Sequence, residues 1–550
     1  MLYPSLLHPK RLLLSFSYLM LCLSPLGLAE DRPNILLIMA EDMSARVGAF
    51  GDEVAVTPNL DKLAAKGTRY PNTFTTSGVC APSRAAQILG VYQQSIGAHH
   101  MRTDQFKESP YRTVPPGYMK AYPELLRRHG YFTFNDNKLD FQFGTRQHGS
   151  GGPFTIWDAA RDGASWKNRL TDQPFFGFIT IFETHESKIF PQEVRKNDKN
   201  RAIPVIVNPE DVVVPPYYPD SKVVRKDIAQ HYNNIHYMDK RVGEIISKLE
   251  ADGEADNTII IWTTDHGDGL PRSKREVYDS GIKVPLIIYW PERFRPRNHL
   301  PGGQSDSLVS FVDLGPSILS LAGLRPPEHM HGSARFGTKE IKERTHIYAA
   351  KDRFDEHFFH ERAVRTHQYK YIRNYLPGLP GGRHLIYRDN QDIMQDLWKH
   401  LAEGKLNIQQ STWFNPQPEE SLYDVLEDPH EINNLASNLE YSNVLKDMRL
   451  ALSDWMKGMP DMAEKPEIDM AKIFWPNGIQ PVTEYPTLSQ REGVVIAKNN
   501  TESASIGYKI ENGPWKLYLG PTYIGGGKTA TFKAVRYGWA ESLEAKIKMN

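Results

Sequence analysis

Four segments of this chain repeat one pattern: an unbroken apolar run that passes without a spacer into residues able to carry charge or move protons. Residues 35–40 run into Glu41 and Asp42. Residues 131–134 run into Asn135 through Asp140, residues 175–182 into Glu183, Thr184 and His185, and residues 259–264 into Asp265, His266 and Gly267. Apolar runs without alternation suit strands covered on both faces, as in a parallel sheet. Ligands of open α/β sheets sit beyond the carboxyl ends of the strands. Four such ends can bring carboxylates, imidazoles and a lysine to one place. Any one junction alone also reads as an ordinary passage from strand to polar loop.

Helical periodicity fills the intervals, which completes an α/β signature. A short helix is predicted over 61–66, stopped by Gly67. A long one runs over 225–249, where Ile228, Tyr232, Ile235, Met238, Val242, Ile245 and Leu249 step by three or four. The apolar segment 308–321 closes this unit. The fold class is therefore α/β: a large N-terminal domain with a mostly parallel mixed sheet flanked by helices, plus a smaller C-terminal α+β domain with an antiparallel sheet. Residues 361–375 alternate as one antiparallel strand would, 376–420 look irregular, 421–436 are turn-rich and 441–457 helical. Short strand-like pieces recur from about 480 to the end. The expected divisions are 1–29, 30–345, 346–470 and a β-rich extension, 471–550.

Residues 1–29 have the form of a secretory leader. Lys10 and Arg11 precede an apolar stretch, 12–23, too short to span a bilayer, and Gly27-Leu28-Ala29 is a small-x-small cleavage site. No later segment is apolar and long enough to cross a membrane, so the mature chain is expected in the periplasm or outside the cell. Basic and acidic residues are equal at 66 each, which gives no basic surplus for nucleic acid. There are two cysteines, and Cys22 leaves with the leader. The mature chain then holds Cys80 alone, in a compartment that favours disulfides. Such a cysteine is either inert and buried or chemically special.

Its neighbours favour the second reading. In Cys80-Ala81-Pro82-Ser83-Arg84, Pro in a first helical turn places Cys80 just before a helix N-terminus. Free amides and the macrodipole there favour an anion, and Arg84 lies one turn on. This stretch resembles the Cys-x-Pro-Ser-Arg signature of type I sulfatases, in the alkaline phosphatase superfamily. The flanking segments match that family in order: 32–42, Thr57 to Ala64, Asp265-His266-Gly267, Lys274, 278–286, and Ser421 to Leu435. Residues 211–249 look closest to sulfamidase-like members, which act on sulfated glycans.

The resemblance implies that Cys80 is oxidised to formylglycine (3-oxoalanine) by a formylglycine-generating enzyme. The hydrated aldehyde attacks sulfur, expels a sugar alcohol and then ejects sulfate. It implies one divalent metal held by Glu41, Asp42, Asp265, His266 and position 80. Oxygen-rich ligation points to Ca²⁺, with Mg²⁺ or Mn²⁺ as alternatives. It also implies that Arg84, Lys138, His185 and Lys274 serve catalysis, the last three also binding sulfate. Three departures stand out: Glu41 where Asp is usual, His266 where Asn or Asp is common, and Asp140 where the family often has His. The usual His is thought to act as base on the diol, a task a carboxylate at 140 can take. His100 and Arg102, after the Arg84 helix, are candidates for binding a uronate or second sulfate. Two alternatives remain open: a phosphonate monoester or phosphodiester hydrolase on the same scaffold, and a non-catalytic protein that binds sulfated glycans.

Overall fold

In the computed structural model the described residues are 32–144, 153–191, 193–194, 204–297, 299–337 and 343–549. The leader lies outside them. Eight strands form the main sheet: β1 (Asn34–Ala40), β2 (Gly67–Arg69), β3 (Phe132–Asp136), β4 (Ala159–Ala160), β5 (Phe175–Ile181), β6 (Thr258–Thr264), β7 (Leu286–Tyr289) and β8 (Gly303–Gln304). Their order is β8-β2-β7-β6-β1-β5-β3-β4. The run from β6 to β4 is parallel throughout, whereas β7 is antiparallel to β6 and β2. The four strands flagged by sequence, β1, β3, β5 and β6, are thus contiguous and co-directional. All four polar junctions open at one edge of the sheet.

The apolar runs follow from burial on both faces. In β1, Leu36, Ile38 and Ala40 belong to one core, and Ile35, Leu37 and Met39 to the other, all fully buried. Each of the five Leu, Ile and Met side chains among them is worth roughly 1.5–3 kcal/mol. Helices α1 (Pro58–Lys66), α2 (Cys80–Leu89), α3 (Tyr122–Arg128), α4 (Lys222–Ala251) and α5 (Leu314–Leu321) supply the covering layers. α1 and α4 pack Leu60, Leu63, Ile228 and Ile235 on the first face. α2, α3 and α5 pack Ile88, Leu126 and Ile318 on the second. Gly177 in β5 is required by this packing, since a Cβ there would meet the Phe134 ring at 2.3 Å.

Beyond the main sheet, an antiparallel sheet of four strands, β9 (Ile347–Lys351), β10 (Glu361–Arg365), β11 (Tyr369–Asn374) and β12 (Glu420–Asp424), runs in chain order. Helix α7 (Ser442–Lys457) covers it with Leu445, Met448 and Leu452. Residues 361–375 are therefore a hairpin rather than one strand, because Thr366 closes a turn by donating its backbone N–H to the Tyr369 carbonyl (2.9 Å). The segment read as irregular holds α6 (Asp392–Ala402), whose Ile393, Met394 and Leu397 reach the first core. The tail forms two small antiparallel sheets from Thr487–Arg491 to Ala545–Lys548. It is tied to α3 through Glu124. Burial would raise that carboxyl, but Lys120, Arg128 and hydrogen bonds from Ser505 and Tyr537 (2.6 Å each) bring it down to about 2.

Candidate active site

Cys80 is the first residue of α2, with extended Val79 as its cap, so Pro82 stands third in the helix rather than first. The thiol is fully buried. Ser83 Oγ donates to the Asp265 carbonyl (2.7 Å) and lies 2.6 Å from Thr75 Oγ1, which docks the first turn on the end of β6. Arg84 donates from Nη2 to Glu41 Oε1 (2.7 Å), from Nε to Asp265 Oδ2 (3.4 Å) and from Nη1 to Thr180 Oγ1 (3.3 Å). One guanidinium thus bridges the ends of β1, β5 and β6.

Glu41 and Asp42 follow β1 directly. Lys138, beyond β3, reaches Glu41 at 2.8 Å. Asp42 sits at φ 48°, a left-handed conformation that Asp tolerates better than most residues. Its Oδ2 accepts from Lys274 Nζ (2.5 Å) and the Glu186 amide (2.7 Å), and its Oδ1 lies 3.0 Å from His266 Nε2. His266 Nδ1 donates to the Gly267 carbonyl (3.0 Å), which leaves Nε2 toward Asp42 and, at 3.3 Å, Cys80 Sγ. Gly267 cannot carry a side chain, because a Cβ would fall 1.9 Å from the Ser280 carbonyl oxygen. His185 stacks on Phe182 with centroids 4.3 Å apart, and its Nδ1 accepts from the Ser187 amide (3.2 Å).

The electrostatics fit a cation seat. Burial pushes the Asp42 carboxyl up, but nearby positive charge, Lys274 foremost, outweighs it and holds it well below the usual range. Burial, helped by Asp265, raises Glu41 against Lys138 and Arg84. Burial opposes a charge on His266, yet Asp265 and Asp42 push it up to about 10. The same two carboxylates that favour a proton on this fully buried imidazole would favour a metal cation in its place, bound by the deprotonated Nε2. The ligand atoms of Asp42, Cys80, Asp265 and His266 lie within 4.8 Å of one another, and so do those of Glu41, Asp42, Cys80 and His185. A buried, oxygen-rich donor set with an imidazole fits a divalent ion.

Above this floor opens a cavity of about 630 Å³. Lys138, Asp140, His185 and Lys274 line its base, and Arg102 and Tyr387 line its wall. Burial, then Lys274, keeps His185 well below the usual imidazole range, hence neutral. Asp140 Oδ2 lies 3.6 Å from Lys138 and 3.4 Å from Arg102. His100 is not among the lining residues. Its Nδ1 accepts the Arg353 amide (3.1 Å), and its Nε2 lies 3.7 Å from Glu467.

Sequence reasoning missed Glu186, Arg275 and Asp355. Glu186 pairs with Lys274 (2.9 Å) and is gripped twice by Arg275 (2.8 and 3.0 Å), which also holds Asp355 (2.5 Å). Glu186 and Arg275 each follow a residue already singled out, and that adjacency was the available signal. Asp355 lies where the sequence carries none.

Residues 33–324 match the Sulfatase family, and residues 271–379 match the C-terminal region of N-sulphoglucosamine sulphohydrolase. An "Ulvan-active sulfatase" from Formosa agariphila is 40% identical over 557 residues, covering 94% of this chain and 91% of that protein. The human "N-sulphoglucosamine sulphohydrolase" is 26% identical, covering 78% and 91%. A solved structure bound to its substrate, D-glucosamine-2-N,6-O-disulfate, shares the fold with a TM-score of 0.53 at 18% identity, covering 79% of this chain and all of that one. The phosphonate monoester hydrolase of Agrobacterium radiobacter does so with a TM-score of 0.53 at 17% identity, covering 77% and 96%. The chain belongs to the sulfatase family and is, by that membership, a sulfuric ester hydrolase.

Proposed function

We propose that this sulfatase removes sulfate from a sulfated carbohydrate through a formylglycine made from Cys80. The observation that carries the reading is a buried cysteine at a helix N-terminus, alone of its kind among the described residues, beside a carboxylate–imidazole cluster and below a cationic cavity. The sugar-sulfate names of its relatives support the substrate class. In this reading a formylglycine-generating enzyme, drawing on an external two-electron oxidant such as dioxygen, breaks the Cβ–S bond, releases the sulfur at sulfide level and leaves an aldehyde, which hydrates to a gem-diol. One diol oxygen loses its proton and bonds to sulfur, and the bond from sulfur to the sugar oxygen breaks. That oxygen leaves as an alcohol after gaining a proton. The second hydroxyl then gives up its proton, the aldehyde re-forms, and the bond to sulfate breaks. Water restores the diol.

Lys138 and Lys274 act as fixed positive charges where negative charge builds, and Arg84 holds Glu41 and Asp265 in place. Neutral His185 binds sulfate, and Asp140 is the candidate base for the second hydroxyl. Glu41, Asp42, Asp265 and His266 would hold one Ca²⁺, which when bound polarises a sulfate oxygen and favours the ionised diol. Metal analysis of the purified enzyme returning one Mn²⁺ or Mg²⁺ per chain would overturn the Ca²⁺ assignment. The proposed chain plan is an export leader over 1–29, a catalytic body over 30–345, an α+β part over 346–470 and a β-rich extension to 550. No helix among the described residues is long and apolar enough to cross a membrane.

Mass spectrometry of the Cys80 peptide tests the central claim, with an expected loss of about 18 Da on conversion to the aldehyde. A plain thiol in fully active enzyme sinks it. A second reading, phosphonate monoester or phosphodiester hydrolysis, draws on the imidazole donor His266. It prevails if kcat/KM on an aryl phosphodiester exceeds that on the matched aryl sulfate.

A further inference from the structure

We infer that Arg102 forms a second anion subsite, which selects a saccharide carrying another anionic group, a carboxylate or a second sulfate, beside the sulfate that is removed. The inference rests on the sulfatase reading above and adds which sulfated saccharides fit. Its basis is an asymmetry among the cations of the cavity. Lys138 is committed to Glu41 (2.8 Å), and Lys274 to Asp42 (2.5 Å) and Glu186 (2.9 Å). Arg275 grips Glu186 and Asp355. Arg353 binds Glu467 (2.6 Å) and the carbonyls of Met101 and Asp355 (3.1 Å each). Among the described residues Arg102 makes a single long polar contact, from Nη2 to Asp140 Oδ2 at 3.4 Å. A guanidinium has five N–H donors in a rigid fork, so most of this one is left for what enters the cavity it lines.

The backbone holds the group ready. Arg102 sits at φ 52°, in the left-handed region that non-glycine residues occupy at a cost when their surroundings enforce it. The surroundings do so here. The Met101 amide donates to the Arg353 carbonyl (2.8 Å), Arg353 Nη1 returns a bond to the Met101 carbonyl, and the Gln105 amide donates to the Arg102 carbonyl (2.9 Å). His100 Nδ1 fixes the Arg353 amide from beneath. The Arg102 side chain keeps 26% of its exposure while Asp140 keeps 2%, so the fork projects beyond its partner. Lys107 adds positive charge on the same cavity, where Asp355 is neutralised by Arg275 and Glu356 is exposed.

The position relative to the floor sets the class of ligand. Arg102 and Lys138 approach the same oxygen, Asp140 Oδ2, at 3.4 and 3.6 Å. A sulfate over Lys138 and an acid at Arg102 are therefore substituents of one sugar or of two linked sugars. Guanidinium accepts a carboxylate or a sulfate through two parallel N–H···O bonds, a geometry that lysine cannot reproduce.

The test uses three disaccharides that share the sulfated sugar the enzyme turns over fastest. That sugar is linked to glucuronic acid, to 6-sulfated glucose or to unsubstituted glucose. Wild-type enzyme is expected to prefer one of the two charged partners. R102Q should lower kcat/KM on the preferred one by about 10- to 100-fold more than on the glucose partner, with R102K in between. The identity of the preferred partner separates carboxylate from sulfate. An equal loss on all three, or a wild-type enzyme without preference, overturns the subsite. If the screen that selects this sugar finds no sulfated sugar from which wild-type enzyme releases sulfate, the carbohydrate reading on which the subsite rests is overturned instead.

Discussion

The floor and the wall of the cavity are built on opposite plans. On the floor, Glu41, Asp42, Asp265, His266, Arg84, Lys138 and Lys274 stand at strand ends, on α2 or on the loop after β6. None keeps more than 3% exposure, and each charge meets an opposite one. On the wall, Arg102 and Tyr387 come from irregular segments and keep part of their surface in solvent. Parallel strands with both faces buried hold their carboxyl ends rigidly, and that rigidity suits groups that must be in place before reaction. Loops absorb sequence change at little cost to the core, which suits groups that choose among substrates. If this division is right, floor substitutions should act on kcat and on stability together, whereas wall substitutions should act on KM and selectivity.

The largest effect expected is at position 80. Cys80→Ala removes the precursor of the nucleophile and should lower kcat by on the order of 10⁵-fold or more, as measured by sulfate release. Folding should be retained, since Cys80, unlike the charged residues of the floor, belongs to no ion pair among the described residues and its thiol is held by polar contacts no shorter than 3.3 Å. Residual turnover of a tenth or more would put the reaction elsewhere and dissolve the contrast between floor and wall. Next comes Lys274→Met. Two buried carboxylates, Asp42 and Glu186, lose a cation together. Breaking a buried pair from one side costs about 3–5 kcal/mol, and loss of a preorganised charge about 10²- to 10³-fold in kcat. Urea denaturation and steady-state kinetics on one preparation should show both losses. A change in KM alone would mean that Lys274 behaves as a wall residue.

How far the site was legible in the sequence follows the same division. Residues 35–42 and 259–266 announced both their strands and their chemistry, because burial on both faces forces an uninterrupted apolar run and the next residue is at the sheet edge. The wall gave no such signal. Arg102 was marked only by following the Arg84 helix. Asp355 and Tyr387 lie where neither periodicity nor composition distinguishes a lining residue from any other loop residue. His100 looked equivalent to Arg102 in sequence, yet its ring serves the Arg353 backbone. One residue of separation in a loop with φ 52° is enough to send neighbouring side chains to different tasks. The hairpin at 361–374 was missed for a related reason: alternation continues across a tight turn, and the turn at Thr366 carries neither Gly nor Pro.

A third prediction concerns what lies under the wall. His99 is buried, and its ring centroid is 4.1 Å from that of His100. Burial, against Asp461 and together with Arg362, His360 and Arg353, takes its imidazole down to about 3. The unfolded chain takes up this proton near pH 6.5, and the folded one not until about pH 3. Between those values the unfolded state binds more protons, so stability falls as pH falls, by up to about 1.4 kcal/mol per pH unit from this group. Denaturant midpoints of His99→Gln between pH 6.5 and 4 should show a shallower slope than wild type. An unchanged slope would mean that the acid sensitivity resides in other buried groups, His100 first among them, whose imidazole burial also holds well below the usual range.

The smallest effect expected is at Tyr387. Its ring meets Phe190 edge-on (5.2 Å, 64°) and lies 6.4 Å from His185, and 41% of the residue is exposed on the cavity wall. An aromatic surface of this kind adds about 1 kcal/mol through ring contacts, with no charge and no part in bond making. Tyr387→Ala should therefore raise KM for a saccharide substrate by about 5-fold, kcat being retained within about 2-fold. Tyr387→Phe should keep most of the affinity. A fall in kcat matching that of Lys274→Met would show that the wall reaches the reacting atoms, and the separation of chemistry from selectivity would fail where it is easiest to test.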